Sequence, residues 1–81
     1  MFDVLVQDVD LRRIDPAANC FRFYRLALWP DLFGGASVVR HWGRIGTRGR
    51  QQLNPYPSPE AAARMLERLH RQKLRRGYVA R

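Results

Sequence analysis

The sequence predicts an α+β fold: a small antiparallel β-sheet of about four to five strands with one C-terminal α-helix packed on one face. Three observations carry this expectation. The runs over residues 21–29 and 36–46 are rich in aromatic and β-branched residues and alternate with a period of two, as strands do. Gly46 and Gly49 interrupt the chain after the second run, where a hairpin needs residues tolerant of positive φ. After Ser58 the apolar period lengthens, and Ala62, Met65, Leu66 and Leu69 form a helical stripe.

Taken in order, Val9 to Ile14 reads as an opening strand, ended by the turn signal Asp15-Pro16. Residues 16–20 form a loop in which Asn19 suits local backbone hydrogen bonding. The next strand, Phe21 to Trp29, places Tyr24, Leu26 and Leu28 on one face and Phe21, Phe23, Arg25, Ala27 and Trp29 on the other. Pro30-Asp31 and Gly34-Gly35 bracket the following loop. In the strand from Ala36 to Gly46, Val38, Arg40, Trp42 and Arg44 share one face, and Val39, His41, Gly43 and Ile45 share the other. A partner strand follows over Arg50 to Asn54, and Pro55-Tyr56-Pro57 is expected to stop it.

The helix has clear punctuation. Ser58 suits the N-cap, Pro59 the first helical position, and Glu60 the positive end of the dipole. Glu60–Arg64 and Glu67–Arg71 have the spacing of ion pairs one turn apart. Arg75, Arg76 and Gly77 give a basic last turn followed by a glycine that can close it. Tyr78-Val79 then either docks beside the helix or forms a short end strand.

Eighty-one residues suffice for one small domain with a core at about 9–79. Fifteen Lys and Arg against seven Asp and Glu give a net charge of +8, and fourteen of the fifteen cations are Arg. The excess is localised. Residues 1–39 hold four cations and five anions, whereas residues 40–81 hold eleven cations and only Glu60 and Glu67. Such a balance points to a polyanion, with nucleic acid first and an anionic membrane surface second. The helix's short, Ala-rich stripe suits packing on a sheet better than insertion into lipid, so no membrane partner is expected.

Other classes fall away. One cysteine, Cys20, permits neither an internal disulfide nor a Cys-based zinc site. The first eight residues lack the basic and long apolar regions of a secretory leader, and no run approaches transmembrane length. A cytoplasmic location is expected, with nucleoid association if the ligand is DNA. His41 and His70 stand 29 residues apart without nucleophile partners, so no catalytic residue is assigned and the chain is read as a non-enzyme. Asp8 and Asp10 alone are too few for a metal, and no cofactor is expected.

The informative constellation is Arg40, Trp42 and Arg44, extended by Arg48 and Arg50 around the hairpin. Arginine offers a fixed fork of donors to phosphate oxygens, and tryptophan offers a flat plane to a base or sugar. The competing reading makes Trp42 a core residue flanked by surface arginines.

Trp42-Gly43-Arg44-Ile45-Gly46, with Gly49 beyond it, resembles the signature of the WGR domain. The likeness extends to Arg22-Phe23-Tyr24-Arg25-Leu26, to Asn19 where bacterial members often carry asparagine, to the Pro57-Ser58 helix start and to Lys73 through Gly77-Tyr78. The resemblance implies an antiparallel sheet with a helix on one side. In DNA-damage-activated poly(ADP-ribose) polymerases, such domains pack the motif tryptophan against the terminal nucleotide of a break. By that likeness Trp42 would stack on a nucleotide, Arg44 would act as contact or relay, and Gly43 would allow close backbone approach. These 81 residues hold no ADP-ribosyltransferase domain, so the expectation is a chain more similar to stand-alone bacterial WGR proteins.

The resulting expectation is a non-catalytic module that binds nucleic acid, DNA in preference, at ends, nicks or junctions. Its site is Arg40, Trp42, Gly43, Arg44, Arg48, Arg50 and Asn19. The alternative is a protein-interaction module that docks on a partner or forms a homodimer, using Trp29 and Phe33.

Overall fold

Each alternating run becomes a strand in the computed structural model, which describes residues 8–80. The strands are β1 (Asp8–Asp15), β2 (Cys20–Pro30), β3 (Ala36–Arg44), β4 (Arg50–Tyr56) and β5 (Val79–Ala80), and the helix is α1 (Pro59–Arg75). They form one sheet in the order β4-β3-β2-β1-β5, with every neighbouring pair antiparallel. The expected α+β architecture is thus present. The N-terminal stretch read against a secretory leader lies, except for Asp8, outside the described residues. Among the described residues, no helix is long and apolar enough to cross a membrane.

Register decides what is buried. Tyr24 faces Trp42, Leu26 faces Arg40 and Leu28 faces Val38 across β2 and β3, while Leu11 of β1 faces Tyr24. Paired residues share a sheet face, and α1 covers this one. Leu11, Tyr24, Leu26, Leu28, Ala36 and Val38 meet Ala62 and Leu66 of the helix, with Tyr78 closing the core. Met65 and Leu69 pack at its margin, so the predicted stripe is the buried one.

β1 and β2 each run one residue past the expected bounds at both ends, and two boundaries differ by two residues. β4 does not stop before Pro55 but continues to Tyr56, because it is an edge strand. On an edge, alternate backbone positions face solvent, so a missing N–H need not break the ladder. β3 stops at Arg44 rather than Gly46, and residues 45–49 form the turn. The loop at 16–20 contains a single 3-10 turn, Pro16–Ala18, closed by Asn19 in the left-handed region at φ 51°.

The helix ends are built as their residues dictate. The Ser58 hydroxyl accepts from the Ala61 N–H at 3.1 Å, the N-cap bond that satisfies an orphan donor. At the other end, Tyr78 N donates to Lys73 O at 3.1 Å and Gly77 N to Leu74 O at 3.1 Å. These two bonds make a Schellman cap around Gly77, whose φ is +94°. The cap turns the chain back, seats Tyr78 in the core and sends Val79 and Ala80 to pair with Arg12 and Leu11. Tyr78-Val79 therefore does both things the sequence allowed. Glu67 and Arg71 approach to 3.6 Å on the exposed side, and among the described residues no ion pair joins Glu60 to Arg64.

Gly77→Ala should lower stability by about 1–2 kcal/mol, since L-residues resist that φ, and the new Cβ would lie 3.3 Å from Arg13 Nε. Urea denaturation measures this against Gln72→Ala, an exposed helical control expected within about 0.5 kcal/mol of the parent. Equal midpoints for the two variants would contradict the role given to the cap.

Candidate functional site

The β3–β4 turn is held by close backbone packing. A Cβ on Gly43 would lie 2.6 Å from Gly49 Cα, and one on Gly49 would collide with the Trp42 carbonyl oxygen. Gly49 also has φ +69°. Ile45 N donates to Phe21 O at 2.8 Å, and both the N–H and the hydroxyl of Thr47 donate to Arg44 O, at 3.0 and 2.7 Å. His41 Nε2 lies 2.6 Å from the Arg48 carbonyl. A carbonyl only accepts, so Nε2 carries the proton and donates. His41 is thus a hydrogen-bonded sheet residue, edge-on to Phe23 with ring centroids 5.0 Å apart. The turn is folded over the sheet face that α1 leaves open.

On the helix-covered face, a cleft of about 500 Å³ opens between the end of the sheet and the last turn of α1. Arg22, Phe23, Tyr24, Trp42, Gly43, Arg44, Lys73 and Tyr78 line it, and none of these is acidic. Trp42 is half-buried here. It packs on the core and lies tilted against Tyr24, centroids 6.2 Å apart, while its remaining surface borders the cleft. The core reading and the surface reading of Trp42 both describe part of the side chain.

Cations surround these rings. Arg40 Cζ lies 6.0 Å from the Trp42 ring centre, and its guanidinium donates to Gln52 Oε1. Lys73 Nζ sits 4.4 Å from the Tyr24 ring centre and 5.5 Å from that of Tyr78. Burial holds the Lys73 pKa below its ordinary 10.5, and repulsion by Arg76, Arg40 and Arg22 lowers it further. Arg44 donates from Nη2 to Asn19 Oδ1 at 3.3 Å and from Nη1 to Asn19 O at 3.5 Å. It also lies over Phe21, 5.4 Å from the ring centre.

The structure divides the residues singled out from the sequence. Trp42, Gly43 and Arg44 come together in the lining of the cleft, Arg40 stands beside it against the Trp42 ring, and Arg50, paired with Trp42, emerges on the same side. Asn19 anchors Arg44 from the β1–β2 corner. Gly43 makes its close approach to Gly49 of the same chain. Arg48 lines a different cleft on the opposite face. Sequence reasoning missed Arg22, Tyr24, Lys73 and Tyr78. Pairing the two alternating runs would have found the first two, since Arg22 faces Arg44 and Tyr24 faces Trp42. Among the described residues, no group of three His, Cys, Asp or Glu is placed to hold a metal ion.

A family model described as the WGR domain matches residues 7–81. A protein of Sinorhizobium fredii carrying the name Uncharacterized protein y4dW is 41% identical over 68 residues. That stretch covers 84% of this chain but 33% of the relative, so the chain spans about a third of its length. No solved structure matches. With the family model matching residues 7–81 of 81, the chain belongs to the WGR domain family.

Proposed function

We propose that this domain binds nucleic acid, DNA in preference, through the cleft at Trp42, with ends, nicks or single-strand junctions as its targets. The observation that supports this most is the composition of that cleft. An aromatic edge from Trp42 stands among Arg22, Arg40, Arg44 and Lys73, with no carboxylate among the described residues of the lining. Cations crowded together raise one another's energy, and a phosphate backbone relieves the repulsion. An unpaired base at an end or nick is free to stack on an aromatic side chain, a contact worth about 1–3 kcal/mol. A paired base inside a duplex is not. Fixed by Asn19, Arg44 offers its guanidinium in a set orientation, and Arg22, with no hydrogen bond among the described residues, adapts to the backbone.

A second reading is docking or self-association. It rests on the β2–β3 turn, where Leu32 and Phe33 are more than nine-tenths exposed and Trp29 is half exposed. Asp31 Oδ1 accepts from Phe33 N and Gly35 N at 2.8 and 2.9 Å, giving the turn a defined shape. This tip lies at the end of the β2–β3 hairpin away from Trp42.

Anisotropy titrations of labelled blunt, nicked and closed DNA test the first reading. Four cations neutralising one phosphate each predict log K falling with log salt at a slope of about −3 to −4 on duplex DNA. Trp42→Leu, which keeps apolar packing but removes the ring, should weaken binding to nicked DNA about 5- to 150-fold. Equal affinity for closed and nicked DNA, or an unchanged Trp42→Leu variant, would contradict it. A salt-insensitive dimer in sedimentation, abolished by Phe33→Ser, would favour the second reading.

Lys73 gives a pH signature. A bound polyanion favours its charged form, so binding should raise the lowered pKa toward or above 10.5. Affinity should therefore fall as pH rises through the free protein's Lys73 titration, and this fall should vanish in Lys73→Met. A Lys73 Cε resonance titrating identically with and without DNA would separate Lys73 from the ligand.

A further inference from the structure

The opposite face of the sheet carries a second cleft that the reading above does not use. Its floor is a cross-strand patch in which Arg12 faces Phe23, and Arg25 lies between Asp10 and His41. Its wall is the folded-over turn, contributing Ile45 and Arg48. The space is about 360 Å³, within the range of small-ligand pockets and larger than an inorganic anion requires. Gly43 and Gly49 let the turn lie this close, and the hydrogen bond from His41 to the Arg48 carbonyl ties it in place.

Charge and chemistry narrow the ligand. Three arginines, Arg12, Arg25 and Arg48, line the cleft with one carboxylate, Asp10, whose Oδ2 lies 3.7 Å from Arg25 Nε. Among the described residues the lining therefore carries a net charge of +2, which a phosphate monoester dianion balances. Arg12 Nε is buried and has no hydrogen-bond partner among the described residues, a donor whose burial is costly until an acceptor reaches it. Phe23 and Ile45 supply apolar surface, and Arg25 lies over the Phe23 ring at 5.9 Å. Aromatic and guanidinium planes are the usual platforms for a nucleobase.

We propose that this cleft binds one nucleoside monophosphate unit, its phosphate between Arg12 and Arg48 and its base toward Phe23. The unit is either a free nucleotide or the end of a strand. Arg48 thereby belongs to a site separated from Trp42 by the sheet. The inference stands apart from the reading of the Trp42 cleft, because among the described residues the two sites share only Phe23 in their linings.

The test is NMR of the whole chain titrated with adenosine 5′-monophosphate, adenosine, inorganic phosphate and a terminally phosphorylated oligonucleotide. The Ile45 methyl and the His41 ring report on this cleft, and the Trp42 indole reports on the other. The monophosphate should give saturable shifts at Ile45 and His41, tighter than phosphate or adenosine alone. Arg48→Gln, which alters an exposed side chain that makes no hydrogen bond among the described residues, should weaken this about ten-fold. Trp42→Leu should leave it intact. Shifts at Ile45 with both the monophosphate and the oligonucleotide support the site for either source, and shifts with the monophosphate alone support a free nucleotide. No saturable shift at Ile45, shifts confined to the Trp42 indole, or an unaffected Arg48→Gln would overturn the proposal. Failure of the Trp42 reading would appear separately, as an indole that no oligonucleotide moves.

Discussion

The register of β2 against β3 is the constraint on which everything else rests. Because Leu28 faces Val38 and Leu26 faces Arg40, the aliphatic half of this pair lies under α1. The same register, two and four residues further along, puts Tyr24 against Trp42 and Arg22 against Arg44. One ladder therefore grades from dry core into cationic cleft along a single face. A slip of one residue would send the whole set to the other face, exposing the core and burying His41 and Arg25. Core and candidate site cannot be separated in this domain, since Tyr24 and Trp42 serve both.

A second feature, the contact of Gly43 with Gly49, gives the sheet its two-sidedness. Backbone packed on backbone leaves no room for a side chain at either position. It lets the turn fold over the open face while Trp42 stays directed at the helix. The Trp-Gly-Arg triplet thus places its tryptophan and its arginine at one cleft, and its glycine closes the wall of the other. The concentration of like charge around Lys73 works against folding, as burial already does for that amine. Groups held in such a state are candidates for function because a ligand stabilises them.

Much of this was legible in the residues. Alternation over 21–29 identified Tyr24, Leu26 and Leu28 as one face, and the helical stripe identified Ala62, Met65, Leu66 and Leu69. Ser58 and Gly77 marked the helix ends, and Gly46 and Gly49 marked the turn. The composition of the clefts was harder to read. Alternation says which residues share a face of one strand but not which strand lies opposite, so Arg22 and Tyr24 went unrecognised. Lys73 and Tyr78 arrive through the angle of α1 and the direction of its cap, both tertiary properties. Arg48 followed Trp42 closely in sequence, yet the backward fold of the turn carried it to the other face. Pro55 was misread because its tolerance depends on β4 being an edge, which no local pattern reveals.

The central claim is that the exposed edge of Trp42 meets a base of the bound nucleic acid. Trp29→Phe leaves Trp42 as the sole tryptophan, so its emission can be followed alone while an oligonucleotide containing a nick is titrated. The account predicts quenching that saturates with the same midpoint as binding measured by anisotropy, and no such quenching by closed duplex. Binding by anisotropy with Trp42 emission unchanged would contradict it, placing the nucleic acid on another surface of the domain.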